Sequence, residues 1–361
     1  AYEIPKRDWS SDVCSSDLMA IVFYTSGHGF GHASRDVEVL NVLGRLRPDL
    51  RLILRTAASP SLLHRTLRVP YELRPGPCDA GVVQRSSVDH DDEATVREAV
   101  AFYSTFEARV AQEVAALHND QVRLIVSDAA PLAFEVASAL GVPSVFLGNF
   151  TWDWIFETHP GMAEAAPWLV PLIKRSYAKA GLALQLPFGG GFEVFSNVRA
   201  MPLIARRSSH PAAETRAHFG VPADRPAALL SFGGYGMPRL DLTQLDCPDW
   251  TLVLTDRVQT AGVAPHVVYL EEATFLSATY RYEDLVAAVD VVISKPGYGI
   301  ASECIALNKP LLYTSRGHFR EYDIFVRDLP KWVRCRFISQ DDLDRKSTRL
   351  NSSHVSEFRM P

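Results

Sequence analysis

The chain of 361 residues has little cysteine, five in all, and no two of them share a C-x-x-C spacing. A disulfide-stapled scaffold and a zinc ribbon are both excluded on that count. Long apolar runs are also missing, and none reaches the roughly 20 residues that a membrane-spanning helix needs. Basic charge is not in excess. Lys and Arg number 37 against 42 Asp and Glu, a formal net charge of -5, so no nucleic-acid groove is expected. Short internal repeats and low-complexity tracts are absent from the core. No secretory pattern precedes Met19, and Cys78, Cys247, Cys304 and Cys335 read as buried free thiols. A cytoplasmic location is therefore expected.

The two ends stand apart from the rest. Asp8 to Asp17 read DWSSDVCSSD, and a DNA segment that encodes them has an opposite strand encoding DRKSTRLNSS, the run Asp344 to Ser353. Sense and antisense of one DNA at opposite ends read as translated sequencing adapter rather than as Ser-rich tails. Residues 1–18 and 344–361 are accordingly taken as non-native flanks, and the natural C-terminus is expected to lie beyond this fragment. The flanks carry as many basic as acidic residues, so the charge of the core is still -5. Residues never selected with this core should pack against nothing essential. Deleting Ala1 to Leu18 is expected to leave the melting temperature unchanged or raised, and a large drop in a thermal melt would refute the reading.

What is present is βα alternation. Ala20 to Thr25 reads as a buried strand, followed by a Gly-rich turn, a helix over Ser34 to Arg47 and a second strand over Arg51 to Arg55. Val96, Val100, Tyr103, Phe106, Val110, Val114 and Leu117 recur at three- and four-residue steps, which predicts one amphipathic helix. Strand Val122 to Val126, helix Pro131 to Leu140 and strand Ser144 to Leu147 follow. From Gly148 to about Arg207 the rhythm breaks into an aromatic, Gly-rich stretch that reads as cleft-lining loops and short helices. Alternation resumes with strands Ala227 to Ser231, Thr251 to Leu254, Val267 to Leu270, Val291 to Ile293 and Leu311 to Tyr313. Helices Tyr282 to Ala288 and Ile300 to Leu307 lie between the later ones. The predicted class is α/β, with residues 19–205 and 206–343 as two Rossmann-like parallel-sheet domains and ligands at the carboxyl ends of the strands. An apolar content of 47% is ample for two cores.

Two segments carry chemistry. Ser26-Gly27-His28-Gly29-Phe30-Gly31-His32-Ala33-Ser34-Arg35 follows the first strand, and its glycines suit a sharp turn that exposes amides at a helix N-terminus. It lacks the G-x-G-x-x-G and distal acid of a dinucleotide loop. In the second segment, strand Val291 to Ile293 leads into Ser294-Lys295-Pro296-Gly297-Tyr298-Gly299, so amides and the Lys charge converge on a point suited to a diphosphate. Glu303, one turn on, can accept both hydroxyls of a ribose. Asp89-His90-Asp91 has a metal-binding D-x-D spacing, but it directly precedes a helix and reads more simply as an N-cap. Trp168 to Leu186, with Lys174, Arg175 and Lys179, reads as acceptor-cleft packing, with a weak peripheral contact to anionic lipid as the alternative.

The spacing of the second segment resembles the donor signature of GT-B glycosyltransferases, close to the S/T-K-x-G-x-G-x-x-x-E pattern of galactolipid synthases. With the first segment, Met19 to about Leu343 resembles the glycosyltransferase-like half of plant arabinokinases and its stand-alone bacterial relatives. The resemblance implies a GT-B fold with a nucleotide-sugar donor on the C-terminal domain and a hydroxyl acceptor on the N-terminal one. Gly233 and Gly234 match the glycine turn beside the diphosphate, Lys295, Gly297, Tyr298 and Gly299 the second phosphate loop, and Glu303 the ribose-binding acid. Arg320 and Glu321 fall in the loop that touches the donor sugar, where Glu321 replaces a frequent Gln. The C-terminal helix that crosses back onto the first domain in such proteins is missing here. Gly29, Gly31, Asn149 and Trp152 belong to the acceptor side. His32 is the expected general base and Asp128 its orienting partner, since both follow strands of the first domain. Two rival readings are that His32 bonds the donor phosphate and that His28 is the functional histidine. No metal and no cofactor beyond the sugar nucleotide as substrate are expected. A non-catalytic nucleotide-sugar-binding module and a nucleotide-sugar epimerase are the alternatives to transfer.

Overall fold

A computed structural model describes residues 19–86, 89–232, 249–255, 266–275, 279–317 and 319–339. Its first half is a sheet of seven parallel strands in the order β3-β2-β1-β4-β5-β6-β7. They are β1 (Ala20–Thr25), β2 (Arg51–Thr56), β3 (Glu72–Pro75), β4 (Val122–Asp128), β5 (Ser144–Phe150), β6 (Leu182–Gly190) and β7 (Val198–Ala200). The second half is a sheet of six parallel strands in the order β10-β9-β8-β11-β12-β13. These are β8 (Ala227–Leu230), β9 (Thr251–Leu254), β10 (Val267–Tyr269), β11 (Val291–Ser294), β12 (Leu311–Tyr313) and β13 (Cys335–Phe337). β1, β8, β9 and β11 are buried along their whole length. That burial on both faces is why they read as unbroken apolar runs rather than alternating ones.

Each sheet reverses its winding once, and the reversal opens a crevice at the carboxyl ends of the two central strands. In the first sheet the central pair is β1 and β4, with Tyr24 opposite Ser127. In the second it is β8 and β11, with Leu230 opposite Ile293. In one half Asp128 is the last residue of β4 and His32 lies on the segment that leaves β1, and in the other Lys295 follows β11.

Helices cover both faces, and one hydrophobic cluster runs through the two halves, from Val37 and Leu54 to Leu229, Tyr298 and Phe325. The helix Arg320–Asp328 lies against β6, where Phe325 stacks on Phe188 at 4.6 Å between ring centres. Among the described residues no helix is long and apolar enough to cross a membrane.

Four local expectations change. Gly148 to Arg207 contains two parallel strands, β6 and β7, besides its short helices. β6 holds Pro187 and ends at Gly190, and its pairing with β5 slips between Gly148 and Phe150, so neither composition nor period marks it as a strand. The long helix over Val96 to Leu117 is two, Asp92–Tyr103 and Phe106–Leu117. Ser104 and Thr105 bond back to the carbonyls of Ala101 and Phe102, at 3.2 and 3.0 Å, and so compete with the helical ladder. The first helix starts four residues early, at Phe30, entered through Gly29 at φ 75, where a Cβ would be strained. His32 is therefore in a first helical turn and not in the preceding loop. Strands β3 and β13 also lie where no strand was read.

Candidate functional site

The early helix start aims two side chains at β4. His32 Nδ1 lies 2.9 Å from Asp128 Oδ1. Arg35, one turn on, donates from Nε to Asp128 Oδ2 at 2.8 Å and from Nη2 to Oδ1 at 2.6 Å. The carboxylate only accepts, so the His32 proton sits on Nδ1 and Nε2 is left as the acceptor. Burial alone would raise the Asp128 carboxyl, but Arg35, His32 and their hydrogen bonds together hold it well below the usual carboxylate range. Asp36, bonded to Thr25, is buried with no such cation to spare. Desolvation first and the Asp128 charge second push it well above its ordinary value. His32 itself packs edge-on to Phe150 at 5.5 Å and beside Trp152 at 6.4 Å.

Trp152 separates two histidines. Its Nε1 donates to Asp79 Oδ2 at 2.7 Å, and His28 Nε2 stands 3.6 Å from the other oxygen of the same carboxylate. The first half thus presents two His–Asp pairs, one buried and one half-open, on either side of an indole. Asn149, past the middle of β5, accepts from Arg35 Nη1 at 2.9 Å and donates to Glu321 of the second half at 2.6 Å.

The second half answers with the helix Tyr298–Ala306. The Cα of Gly31 lies 3.9 Å from where a Cβ on Gly299 would sit, so the N-terminal turns of the two helices meet with almost no side chain between them. Arg35 lies 4.5 Å over the Tyr298 ring, and Tyr298 Oη accepts from the Ile204 amide at 3.1 Å. Glu303 is buried and receives Arg206 Nε at 2.6 Å, while its Oε2 has no hydrogen-bond partner among the described residues. Burial and Glu283 outweigh the Arg206 charge and raise the Glu303 carboxyl to about 7.

Of the predicted residues, Gly31, Tyr298, Gly299 and Glu303 line one crevice between the halves, together with Arg35 and Arg206. His32, Asp128 and Asn149 are joined to it through Arg35, Trp152 packs beside His32, and Gly29 precedes the helix that carries His32 and Arg35. Lys295 and Gly297 lie in the turn that leads into Tyr298. Gly233 and Gly234 lie outside the described residues. Arg320 and Glu321 are turned to the first half. Arg320 donates to the Trp154 carbonyl at 2.5 Å and to Glu157 at 3.0 Å, and both Glu321 oxygens are taken by Asn149 and by Arg316 at 2.6 Å. Asp91 accepts from the Ala94 amide at 2.9 Å, as an N-cap does. Two of the three basic residues of the lipid-or-acceptor stretch are paired with acids, Lys174 with Glu157 and Lys179 with Glu135, and Arg175 is exposed. Arg35, Asp79, Arg206 and Arg316 were not assigned from sequence. Arg35 alone carried a signal, its three-residue step from His32 on a helix.

No protein-family model matches the chain. Among curated proteins it is similar to the L-arabinokinase of Arabidopsis thaliana, 27% identical over 328 residues that make up 89% of this chain and 30% of that protein. The chain thus spans only 30% of the length of the relative it matches. Among solved structures it is similar to CalG4, the calicheamicin glycosyltransferase, at 16% identity over 94% of this chain and 90% of that one, TM-score 0.61. Phytolacca americana UGT2, complexed with UDP-2fluoro-glucose and pterostilbene, matches at 14% identity over 91% and 88%, TM-score 0.62. The glycosyltransferase VinC, in complex with dTDP, matches at 14% identity over 94% and 92%, TM-score 0.60. At these identities the likeness is one of fold. The chain has the GT-B glycosyltransferase fold, two Rossmann-like parallel sheets that face a cleft.

Proposed function

We propose that this chain moves a sugar from a nucleotide-sugar donor to a hydroxyl acceptor, with residues 19–205 as the acceptor side and 206–343 as the donor side. The observation that carries the reading is the meeting of Gly31 and Gly299. On this reading His32 Nε2, beside Gly31, serves as the proton acceptor, and the helix N-terminus at Gly299 with the Lys295 charge serves the diphosphate, the two features that sugar transfer from a diphosphate requires. His32 takes the proton of the acceptor hydroxyl, and Asp128 fixes the orientation of the ring. Lys295 and the amides of the Gly297–Gly299 turn take the charge that builds on the leaving diphosphate. That one cation and those amides supply what a divalent metal supplies elsewhere, and on this reading a chelator leaves the rate unchanged. Solved relatives of the same fold hold UDP-2fluoro-glucose or dTDP, which supports a sugar nucleotide as the ligand class.

Glu303 is proposed to bind the ribose hydroxyls, displacing Arg206 when the donor enters. Glu303→Ala is then expected to weaken nucleotide binding by about 1–3 kcal/mol, the scale of hydrogen bonds to a charged group. Unchanged titration heats with nucleotide would remove the assignment. Donor turnover separates the three functional readings: slow hydrolysis of the sugar nucleotide without acceptor favours transfer, binding alone a regulatory module, and a changed sugar an epimerase.

A further inference from the structure

A group of polar side chains used by neither the His32 pair nor the Glu303 crevice lies where the first half overhangs the second. Arg316 follows the carboxyl end of β12, the strand beside β11, which leads into Lys295. His90 belongs to the first half, just ahead of the helix Asp92–Tyr103, and is joined to Gln84 by an isolated bridge. Phe319 ties the two together. The Arg316 guanidinium lies 4.2 Å over its ring, and the His90 ring is 5.7 Å from it. Lys295 Nζ is 3.4 Å from Gln84 Oε1, so the His90 segment also touches the Ser294–Gly297 turn directly.

Two polar atoms of this group, His90 Nε2 and Arg316 Nε, are buried and have no hydrogen-bond partner among the described residues. Buried donors are nearly always satisfied, and a pair of them packed against one ring calls for an acceptor that enters from outside. Arg316 Nε is a donor at every accessible pH, and a neutral imidazole with its proton on Nε2 is another. The surroundings add Lys295 and leave Gly297 open, since a Cβ there would meet only Arg316 Nη1, at 3.8 Å. Convergent donors and cations with no side chain in the way fit a phosphate. Burial first, then Arg316 and Lys295, push His90 down to about 4, against the weaker pull of Asp92 and Asp89. An anion seated among them would relieve that repulsion.

Resting on the donor reading above, we propose that Arg316 and His90 complete the diphosphate site begun by Lys295, so that the donor's phosphates are held from both halves of the chain at once. His90 is then the residue by which the first half senses an occupied donor site, and the D-x-D segment serves the phosphates through its histidine while Asp91 caps the helix.

The test is calorimetric titration of the full chain with inorganic pyrophosphate, which needs no knowledge of the base or the sugar. His90→Phe keeps a ring beside Phe319 and removes both nitrogens. Arg316→Gln removes the charge. Each should weaken pyrophosphate about tenfold or more, the scale of one hydrogen bond to a charged group, with the melting temperature and circular dichroism used to confirm a folded chain. Arg316 also holds Glu321, so Glu321→Gln is the companion variant and should leave pyrophosphate affinity unchanged. If Glu321→Gln reproduces the loss, Arg316 acts through the loop and the inference is overturned. It is equally overturned if Lys295→Gln weakens pyrophosphate while His90→Phe and Arg316→Gln do not, an outcome that leaves the donor reading standing. Indifference of all three variants, or no pyrophosphate binding by the wild-type chain, would take the donor reading down as well.

Discussion

His32→Ala is expected to lower sugar transfer by roughly 10²–10⁴-fold while leaving donor affinity nearly intact, the span that follows loss of a general base. The expectation rests on which nitrogen does what. Nδ1 is committed to Asp128 at 2.9 Å, and that carboxylate is held ionised by two bonds from Arg35. The proton arriving from an acceptor hydroxyl can therefore only go to Nε2, and the charge it creates sits against a carboxylate. Removing the imidazole removes the proton acceptor and leaves Lys295 and the helix end untouched, so turnover and donor affinity separate. Initial rates with saturating donor, set beside calorimetric nucleotide binding, measure the two. If His32→Ala loses donor binding while turnover survives, His32 belongs to the phosphate and not to the acceptor. If the rate does not fall, His28 beside Asp79 is the base instead, and His28→Ala should then carry the loss.

Much of this crevice could be read from the chain because short βα units write their geometry locally. A buried strand followed by a Gly-rich turn fixes where a helix N-terminus points, and two such units in each half fix which edge of the sheet faces the ligand. That is why His32 and Asp128 read as neighbours at one sheet edge, and Lys295 and Glu303 as the two sides of one strand-to-helix turn. The partners that set their charge could not. Arg206 lies 97 residues from Glu303, and Arg35 is 93 from Asp128. No local period connects such pairs. The same limit accounts for Arg320 and Glu321. The segment expected as a loop is a helix that leans on β6 through Phe325 and Phe188, and β6, with its proline and glycines, carries no strand signal. With β6 unseen there was nothing in the first half for Glu321 to reach, and only the sugar was left as a partner.

Replacing Arg35 with methionine is expected to cost about 3–5 kcal/mol of stability, the scale of removing one partner from a buried ion pair. Asp128 is 1% exposed and Arg35 4%, so neither charge has water to fall back on. The sign of the pH dependence distinguishes this cause from lost packing. In the wild type the Asp128 carboxyl is depressed, so its contribution is fully present above the ordinary Asp range near pH 4 and is lost as the pH falls toward the lower folded value. In Arg35→Met the charge and the bonds that depress it are gone, and burial, which raises it, is left in control. The folded variant then binds a proton at Asp128 that the unfolded chain releases. Its deficit should be largest at neutral pH and should shrink steadily toward pH 4. Urea midpoints of wild type and variant at a series of pH values read this directly. Adding Asp128→Asn to Arg35→Met should recover most of the loss at pH 7, because the uncompensated charge leaves with the carboxylate. A deficit that stays constant from pH 7 to pH 4, or a double variant no more stable than the single one, would mean that Arg35 stabilises the fold through its contact with Tyr298 rather than through Asp128.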